Sequence, residues 1–372
     1  MIICEPVCSF NQHVPINATM IQTLVEQEKN KILLLCSDDH WCELKKNLPF
    51  EIQEVITHYH IDVLLRSDDW RGWKDSFHLI RFIKKLARNR NEKLVFLSTT
   101  TGILGLSKWC LFNFKAICIV HLVLARIEGY VPRNPLRAWF SLRKTLLRFN
   151  NENCKIVVLE QHILANLLNV MPHLKTCVEC ILHPLPEDNS NDSLSSNPDF
   201  STGVTLCFPG TFNKEKGAEL FCTLAERKSE QLKFVVAGKL ATDFNMKNRE
   251  HLFTLPPAKS PLTREVFSKI INKSHFIFLG HEPSVYKWVA SGVYLDALSY
   301  EKPIIAQRSE FFEGEFRKYG ELGFLFDHID ELEVFLSSKL NKEYYDVYRN
   351  NINNAKLGRS VEFNTSIRNI LS

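Results

Sequence analysis

Short apolar runs alternate with amphipathic stretches over the first half of the chain. Five runs have the length and composition of buried strands: 31–36, 61–65, 93–98, 116–121 and 155–159. Apolar residues recur at helical spacing in four further segments: 18–28, 76–88, 136–149 and 162–170. Because strands that alternate with helices form parallel sheets, the pattern predicts a doubly wound α/β domain.

The same alternation starts again after a polar segment. Residues 187–203 are rich in Ser, Asn, Asp and Pro, which is the composition of a linker. Beyond them, the apolar runs "VTLCFPG", "KFVVAG", "HFIFLG" and "PIIAQ" alternate with helical segments. The sequence therefore predicts an N-terminal domain over 1–186, a second domain over 204–345, and a C-terminal helix over 346–372 that can cross back to the first. The predicted fold is α/β, with two doubly wound Rossmann-like domains facing across a cleft.

Composition narrows the classes of function. A net charge of +4 over 372 residues is far from the positive field of a dedicated nucleic-acid binder. The first residues lack the charged and apolar regions of a signal peptide, and eleven cysteines suit reduced thiols, so a cytoplasmic location is expected. The one C-x-x-C pair, Cys177 and Cys180, has no companion ligands for a zinc site.

Three strand ends in the second half carry residues suited to an anion. Lys216 stands at a predicted helix start, where a cation and free backbone amides suit a phosphate. Gly238 and Lys239 follow the next strand and offer close approach to the backbone and a second cation. Each feature also has an ordinary explanation as a turn or a surface charge. Their convergence at one edge of a sheet favours a ligand site.

The third strand end lies at the helix that starts near residue 292. Ser291 and Gly292 offer an N-cap hydroxyl and an unobstructed backbone for a diphosphate. Asp296, one turn later, could accept hydrogen bonds from ribose hydroxyls. The ordinary explanation is a simple N-cap followed by a surface acid that the helix dipole favours.

A resemblance covers this half of the chain. The ordered series "GTFNKEKGAELF", "LKFVVAGKL" and "FIFLG…YKWVASGVYLDALSYEKPIIA" resembles the C-terminal half of GT-B glycosyltransferases over about 204–326. It is most similar to the family-4-like bacterial enzymes that build polysaccharides and lipopolysaccharides from nucleotide sugars. "ILHPLP" at 181–186 resembles the segment that often ends their N-terminal domain.

The resemblance implies roles for individual residues. Lys216 and the amides of Ser291 and Gly292 would contact the donor diphosphate, Lys239 would lie near it, and Asp296 would bind the ribose. The family's usual arginine before the Lys-Gly pair is absent, and Lys214 is a substitute for it. The first of the family's two glutamates falls on Trp288, so only Asp296 keeps the acidic character.

Three residues of the first half are candidates for catalysis. His121 ends an apolar strand, and in the family a histidine at such a position often faces the donor sugar; a core histidine is the alternative. His13 lies in the loop after the first strand and is a candidate general base because its ordinary pKa is near working pH. Glu5, in the same loop, is the alternative base.

The sequence thus predicts a hexosyltransferase-like enzyme that uses a nucleotide-diphosphate sugar as donor substrate, needs no cofactor and needs no metal ion. The expected acceptor is a glycan or a lipid-linked molecule in cell-surface polysaccharide biosynthesis. Two alternatives stay open: a catalytically silent relative that binds sugars or nucleotides in an assembly complex, and a GT-B-shaped nucleotide-sugar epimerase.

A basic amphipathic segment suggests where such an enzyme works. Residues 136–148 alternate Arg and Lys with Trp, Phe and Leu at helical spacing, which suits an anionic membrane surface. An ordinary surface helix is the alternative. The membrane interpretation predicts a peripheral location on the inner face of the cell membrane.

Overall fold

The chain folds into two compact units. The computed structural model describes residues 1–28, 31–64, 68–87, 92–111, 114–120, 123–128, 133–151, 153–186, 200–228, 232–283, 287–338 and 341–371. Unit 1 contains Met1–Pro184, Lys287–Ala290 and Val361–Ser372, and unit 2 contains Leu185–Tyr286 and Ser291–Ser360. Most of the predicted linker lies outside the described residues. The segment 287–290, which the sequence assigned to the second domain, belongs to unit 1.

Unit 1 is built on a parallel sheet of seven strands. The strands are β1 (Ile2–Cys4), β2 (Ile32–Cys36), β3 (Ile56–His60), β4 (Lys93–Phe96), β5 (Lys115–Ile119), β6 (Cys154–Leu159) and β7 (Val178–Ile181). The helices are α1 (Val14–Gln27), α2 (Asp38–Lys45), α3 (Phe50–Glu54), α4 (Trp70–Leu86), α5 (Thr101–Cys110), α6 (Pro135–Trp139), α7 (Leu142–Leu147) and α8 (Gln161–Val170). The strand order is β3-β2-β1-β4-β5-β6-β7.

Both faces of this sheet are buried, which explains why its central strands are apolar throughout. In β1, Ile2 and Cys4 contribute to one apolar core, and Ile3 contributes to the other. Because neighbouring residues of a strand point to opposite faces, each strand must be apolar at every position. Helices α4, α5, α7 and α8 cover the first face, and α1 and α2 cover the second.

Two predictions about unit 1 were wrong in detail. The strand predicted at 61–65 lies at 56–60, because β3 is an edge strand whose polar, half-exposed residues "ITHYH" hide it from an apolar pattern. The helix predicted over 136–149 is two short helices, α6 and α7. The break falls at Ser141, whose extended backbone (φ −69°, ψ 148°) begins α7 as its N-cap.

Unit 2 is built on a parallel sheet of five strands. The strands are β8 (Val204–Pro209), β9 (Leu232–Ala237), β10 (Phe276–Leu279), β11 (Ile304–Gln307) and β12 (Gly323–Phe326). The helices are α9 (Ala218–Lys228), α10 (Arg264–Lys273), α11 (Gly292–Ser299), α12 (Glu310–Tyr319), α13 (Ile329–Ser338) and α14 (Lys342–Leu371). The strand order is β12-β11-β10-β8-β9.

The strand order of each sheet shows where a ligand site is expected. In the first sheet the chain reverses its direction of winding between β1 and β4, and in the second between β8 and β10. Helices that leave these neighbouring strands pass to opposite faces, which opens a crevice at the carboxyl ends of the strands. The candidate residues are therefore those that follow β1, β4, β8 and β10.

The described residues show two further properties. All eleven cysteines lie in the described part, and none is in a disulfide. Within the described ranges, each helix is too short or too polar to cross a bilayer.

Candidate functional site

Close backbone packing shapes the carboxyl edge of the unit 2 sheet. Gly217 has a left-handed backbone (φ 84°), and a Cβ on it would lie 2.1 Å from the carbonyl oxygen of Gly280. A Cβ on Gly238 would lie 1.6 Å from the carbonyl oxygen of Gly210. No other residue fits at these two positions without moving the backbone. Gly238 therefore makes room for Gly210, which differs from the ligand-facing role that the sequence predicts.

Lys216 lies at the point where the winding reverses. It ends a short 3-10 turn, Lys214–Lys216, whose start is capped by Asn213 Oδ1 accepting from the Lys216 amide. Its ammonium lies against the end of β8, since a Cβ on Gly210 would be 3.1 Å from Lys216 Nζ. Burial lowers the pKa of Lys216, and the nearby carboxylates of Asp296 and Glu215 oppose the shift. The ammonium is thus a partly desolvated cation at the edge where ligands bind.

Asp296 faces Lys216 and is paired with a residue that the sequence did not single out. Arg264 Nη1 donates to Asp296 Oδ1 at 2.9 Å. Burial raises the pKa of Asp296, and both Arg264 and Lys216 oppose the shift. Arg264 begins α10 directly after its N-cap Thr263, and its guanidinium also stacks near the rings of Phe267 and Tyr300. The helix start thus holds the guanidinium over the site.

His281 adds a fourth group to this cluster. It follows β10, its side chain is buried, and it interacts electrostatically with Lys216. Burial first, and then repulsion by Lys216, lower the pKa of His281 to about 3. At neutral pH the cluster therefore holds two cations, Lys216 and Arg264, one carboxylate, Asp296, and an uncharged imidazole. Glu215, whose side chain is exposed, adds a second carboxylate near Lys216.

The start of α11 has the geometry that the sequence predicts. Ser291 Oγ accepts from the amide of Tyr294 at 3.3 Å and caps the helix. Gly292 is exposed, and a Cβ on it would have no neighbour within 4 Å among the described residues. Since the first amides of a helix have no partner within the helix, the backbone here is open to an acceptor from outside.

The other two predicted lysines are placed differently. Lys214 lies in the same 3-10 turn as Lys216, and its side chain is exposed. Lys239 is exposed and follows β9 into a loop that continues the sheet through a bridge to Ala258. Helix α10, which follows β9, begins only at Arg264, so Lys239 stands in a loop and not at a helix start.

At the corresponding edge of unit 1, Glu5 holds the loop that follows β1. Its carboxylate is 1% exposed. It accepts from the amides of Val7 and Cys8 at 2.9 and 3.0 Å, from Asn17 Nδ2 at 3.1 Å, and from the hydroxyl of Ser98, which follows β4. Glu5 therefore ties the ends of β1 and β4 together where the winding reverses. To act as a general base, the Glu5 carboxylate would have to break these hydrogen bonds.

Asn17 and His40 extend this buried network. The amide of Asn17 also lies 3.1 Å from His40 Nε2, and His40 Nδ1 lies 2.8 Å from the carbonyl oxygen of Phe10. These contacts fit an imidazole that is protonated on Nδ1 and accepts on Nε2. The loop from Glu5 to His13 is thus held at Glu5 by Asn17 of α1 and at Phe10 by His40 of α2.

The two histidine candidates have different outcomes. His13 directly precedes α1 in a left-handed conformation (φ 54°) and is half-buried. It lies at the end of the loop that Glu5 and His40 hold in place. Its assignment as general base stays a prediction. His121 lies outside the described residues, as does the strand end at which it was predicted.

A second buried carboxylate at this edge was missed by the sequence. Glu160 follows β6 with φ 101°, a conformation that is strained for any residue with a side chain. Its Oε1 accepts from the amide of His183, in the His-Pro segment, at 3.1 Å. Strained backbone of this kind concentrates at functional sites. No local pattern could have marked it, because the two residues are 23 positions apart.

Trp288 takes no part in the unit 2 cluster. Its indole is buried in the apolar core of unit 1. The neighbouring Lys287 pairs with Glu128 at 2.7 Å, and Asn166 donates to the Lys287 carbonyl at 3.1 Å. The position where the family has its first glutamate is therefore a packing position in this chain.

Among the described residues, no group of three or more His, Cys, Asp or Glu side chains is arranged to hold a metal ion. Cys177 is buried in unit 1 and Cys180 is half-buried on β7.

Two parallel, doubly wound sheets in these strand orders define the GT-B fold, and the chain has that fold as predicted. The whole chain is similar to a glycosyltransferase from Rickettsia africae, with a TM-score of 0.60, 14% identity and 98% of that chain covered. It is also similar over its whole length to HepE of Anabaena in complex with UDP (TM-score 0.64, 10% identity, 98% covered). The lipopolysaccharide outer core galactosyltransferase WaaB is similar to the same extent (TM-score 0.58, 12% identity, 98% covered). No protein-family model and no curated protein sequence matches the chain.

Proposed function

We propose that this protein is a glycosyltransferase that moves a sugar from a nucleotide-diphosphate donor to a glycan or lipid-linked acceptor in cell-surface polysaccharide biosynthesis. The observation that carries the proposal is the cluster of Lys216, Arg264, Asp296 and His281 at the carboxyl edge of unit 2, which brings two cations together at a site of reduced solvent exposure. Two structural relatives fit it: HepE was solved with UDP, and WaaB is a lipopolysaccharide galactosyltransferase.

In this proposal the cluster stabilises the departing diphosphate. Lys216 and the first amides of α11 contact the phosphates, and Arg264 adds a guanidinium that replaces the family's missing arginine. Asp296, held by Arg264, accepts from the ribose. Lys214 and Lys239 are exposed and act only by their charge. The donor sugar is a substrate, and the two cations supply the charge stabilisation that a metal ion gives in other transferases, so no metal ion or other cofactor is needed.

Unit 1 binds the acceptor in the same proposal. The loop that Glu5 anchors presents His13, which takes the proton from the acceptor hydroxyl. His121 is proposed to face the donor sugar. The protein works in the cytoplasm, at the inner face of the membrane, where residues 136–148 contact anionic lipid.

The test begins with donor binding. UDP and other nucleotide diphosphates are titrated into the wild-type protein, Lys216→Met and the matched control Lys214→Met, which removes an exposed cation of the same turn. Loss of one charge-assisted hydrogen bond costs about 1.5–3 kcal/mol, so we expect Lys216→Met to weaken binding by about tenfold to a hundredfold. The affinity of Lys214→Met for the nucleotide should stay within about threefold of the wild-type affinity. Equal affinity of Lys216→Met and wild type would contradict the assignment of the site.

Transfer is tested with a panel of nucleotide sugars and membrane extract. Release of nucleotide that depends on the extract supports a transferase. Binding without release would favour the silent relative, for which Trp288 in place of an acid is the argument, and release of an altered sugar nucleotide would favour the epimerase. Loss of activity on chelation, restored by added metal ion, would contradict the metal-free mechanism.

A further inference from the structure

A pocket of about 200 Å³ lies between α5 and α7 of unit 1, away from the edge that carries Glu5 and His13. Helix α5 starts at the carboxyl end of β4 and runs back toward the start of β5, so its last residues, Lys108 and Trp109, lie toward the opposite edge of the sheet. This pocket is therefore separate from the crevice where β1 and β4 end.

Three indole rings form the walls of this pocket. Trp73 comes from α4, and its ring lies so close to Gly105 of α5 that a Cβ there would be 2.1 Å from it. Trp109 and Trp139 stand at the rim and are 59% and 49% exposed. Large exposed indoles are costly in water, and they are the side chains that prefer the boundary between water and lipid headgroups.

The polar groups of the pocket are mostly donors. Lys108 and Arg148 line it, and no acidic side chain is found among its described lining residues. The guanidinium of Arg148 stacks on the Trp139 ring, 3.4 Å from its centroid, and Arg148 Nη2 donates to the Trp139 carbonyl at 2.5 Å. This pairing holds the cation at the rim in one orientation.

Two buried polar atoms in the walls have no hydrogen-bond partner within the described ranges: the hydroxyl of Thr145 and the indole N–H of Trp73. Both side chains are more than nine-tenths buried. Both atoms are closed off from solvent, so the groups that a ligand can reach are the cations Lys108 and Arg148. The pocket thus suits a ligand that brings negative charge and acceptor oxygens.

We propose that this aromatic–basic pocket binds the phosphate headgroup of an anionic membrane lipid. Helices α6 and α7, which supply part of the lining, also carry three exposed positive side chains, Arg137, Arg143 and Lys144, and the exposed apolar residue Leu147. The inference rests on the membrane contact proposed above and not on the donor chemistry. It differs from the sequence prediction in mechanism, because a preformed site on four helices, α4 to α7, replaces a single amphipathic helix lying on the surface.

The experiment is flotation of the full-length protein with vesicles of phosphatidylcholine, or of phosphatidylcholine mixed with phosphatidylglycerol. Each basic residue near an anionic leaflet contributes about fivefold in affinity, so the double variant Lys108→Gln/Arg148→Gln should lose at least about tenfold in binding to the mixed vesicles. The matched control, Arg81→Gln/Lys85→Gln, removes two exposed charges from α4 outside the pocket and should bind within about threefold of wild type.

A second variant tests the indoles without changing charge. Trp109→Ser should lower binding to mixed vesicles at least about threefold, because an interfacial anchor is lost. Retained UDP binding and an unchanged unfolding midpoint show that each variant is folded. Equal loss in the pocket and control variants would overturn the pocket and leave a diffuse membrane contact. If the wild-type protein does not bind mixed vesicles, the lipid pocket and the membrane contact are both overturned. The proposed donor site is unaffected by that result.

Competition with a soluble phosphate compound shows whether the ligand of the pocket is a lipid headgroup or a free anion. Glycerol 3-phosphate at millimolar concentration should not displace the protein from mixed vesicles. If it does, and binds the protein alone with the same dependence on Lys108 and Arg148, the ligand is a free phosphate compound and the lipid assignment is overturned.

Discussion

At the scale of single residues, the proposed donor site depends on a lysine whose charged form is disfavoured by burial. Burial lowers the pKa of Lys216 below the ordinary value of 10.5, with Asp296 and Glu215 in opposition. A depressed lysine pKa means that the cation is present at low pH and is lost, as the pH rises, earlier than for an exposed lysine. An anion that binds to the cation must therefore lose affinity over the same rise in pH.

This gives a pH prediction for Lys216→Arg. Wild-type affinity for UDP should fall as the pH is raised from 7 toward 10, because the ammonium loses its proton. The guanidinium of the variant stays charged throughout, so its affinity should be flatter over that range, even if it is lower at pH 7. Calorimetric titration at several pH values measures both curves, and titration of the nucleotide itself is common to both. Parallel curves would show that Lys216 does not bind the anion.

The residues that the sequence missed share one property. Arg264 pairs with Asp296 over 32 positions, Asn17 contacts His40 over 23, and Ser98 donates to Glu5 over 93. Hydrophobic periodicity is local, whereas these contacts depend on which strands and helices are neighbours. A single sequence therefore predicts Lys216 and Asp296 through their positions beside a strand or helix start, and it leaves their partners unidentified.

At the scale of elements, the apolar strands were well predicted because both faces of each sheet are buried. Strands β2, β4, β5 and β6 lie within two residues of their predicted bounds. The prediction was wrong at β3 and at the α6–α7 break, where exposure or a single extended residue weakens the pattern. The four-residue strands β7 and β12 were not predicted. The helix starts at α9 and α11 lie beside the glycines that the sequence singled out, whereas α10 begins well after β9, so Gly238 and Lys239 stand in a loop.

The glycines at these strand ends separate packing from ligand binding. We expect Gly238→Ala to destabilise unit 2 by about 3 kcal/mol or more, because the added methyl group would overlap the Gly210 carbonyl. Gly292→Val should change stability by less than about 1 kcal/mol, since the position is open and at the first turn of α11. It should nevertheless weaken UDP binding by about tenfold if a diphosphate approaches these amides.

Urea denaturation and UDP titration of the two variants measure both quantities. The informative result is the contrast between a destabilised protein and a stable one that binds poorly. A Gly292→Val protein that binds UDP as tightly as wild type would remove the start of α11 from the donor site and leave Lys216 and Arg264 as its remaining contacts.

At the scale of the whole molecule, one helix contributes to the cores of both units. Helix α14 has 30 residues. Ile352, in its first half, is fully buried in a core of unit 2, whereas Phe363, Ile367 and Leu371 are buried in a core of unit 1. The two apolar cores are separate, so a cavity in one should destabilise that unit first.

Matched substitutions on α14 test this division. Removing buried methyl groups costs about 2–5 kcal/mol, so Ile367→Ala should increase amide hydrogen exchange in β1, β4, β5 and β6, whose residues share its core. Ile352→Ala makes the same change on the same helix and should increase exchange in β10 and β11. In the proposed function only unit 2 binds UDP, so saturating UDP should restore protection in Ile352→Ala by up to about 2.7 kcal/mol at a hundred times the dissociation constant. UDP should leave exchange in Ile367→Ala unchanged, since a ligand stabilises the unit that it contacts. If both variants open the same strands, the two cores unfold as one, and the proposed donor site must then be coupled to unit 1 through their shared stability.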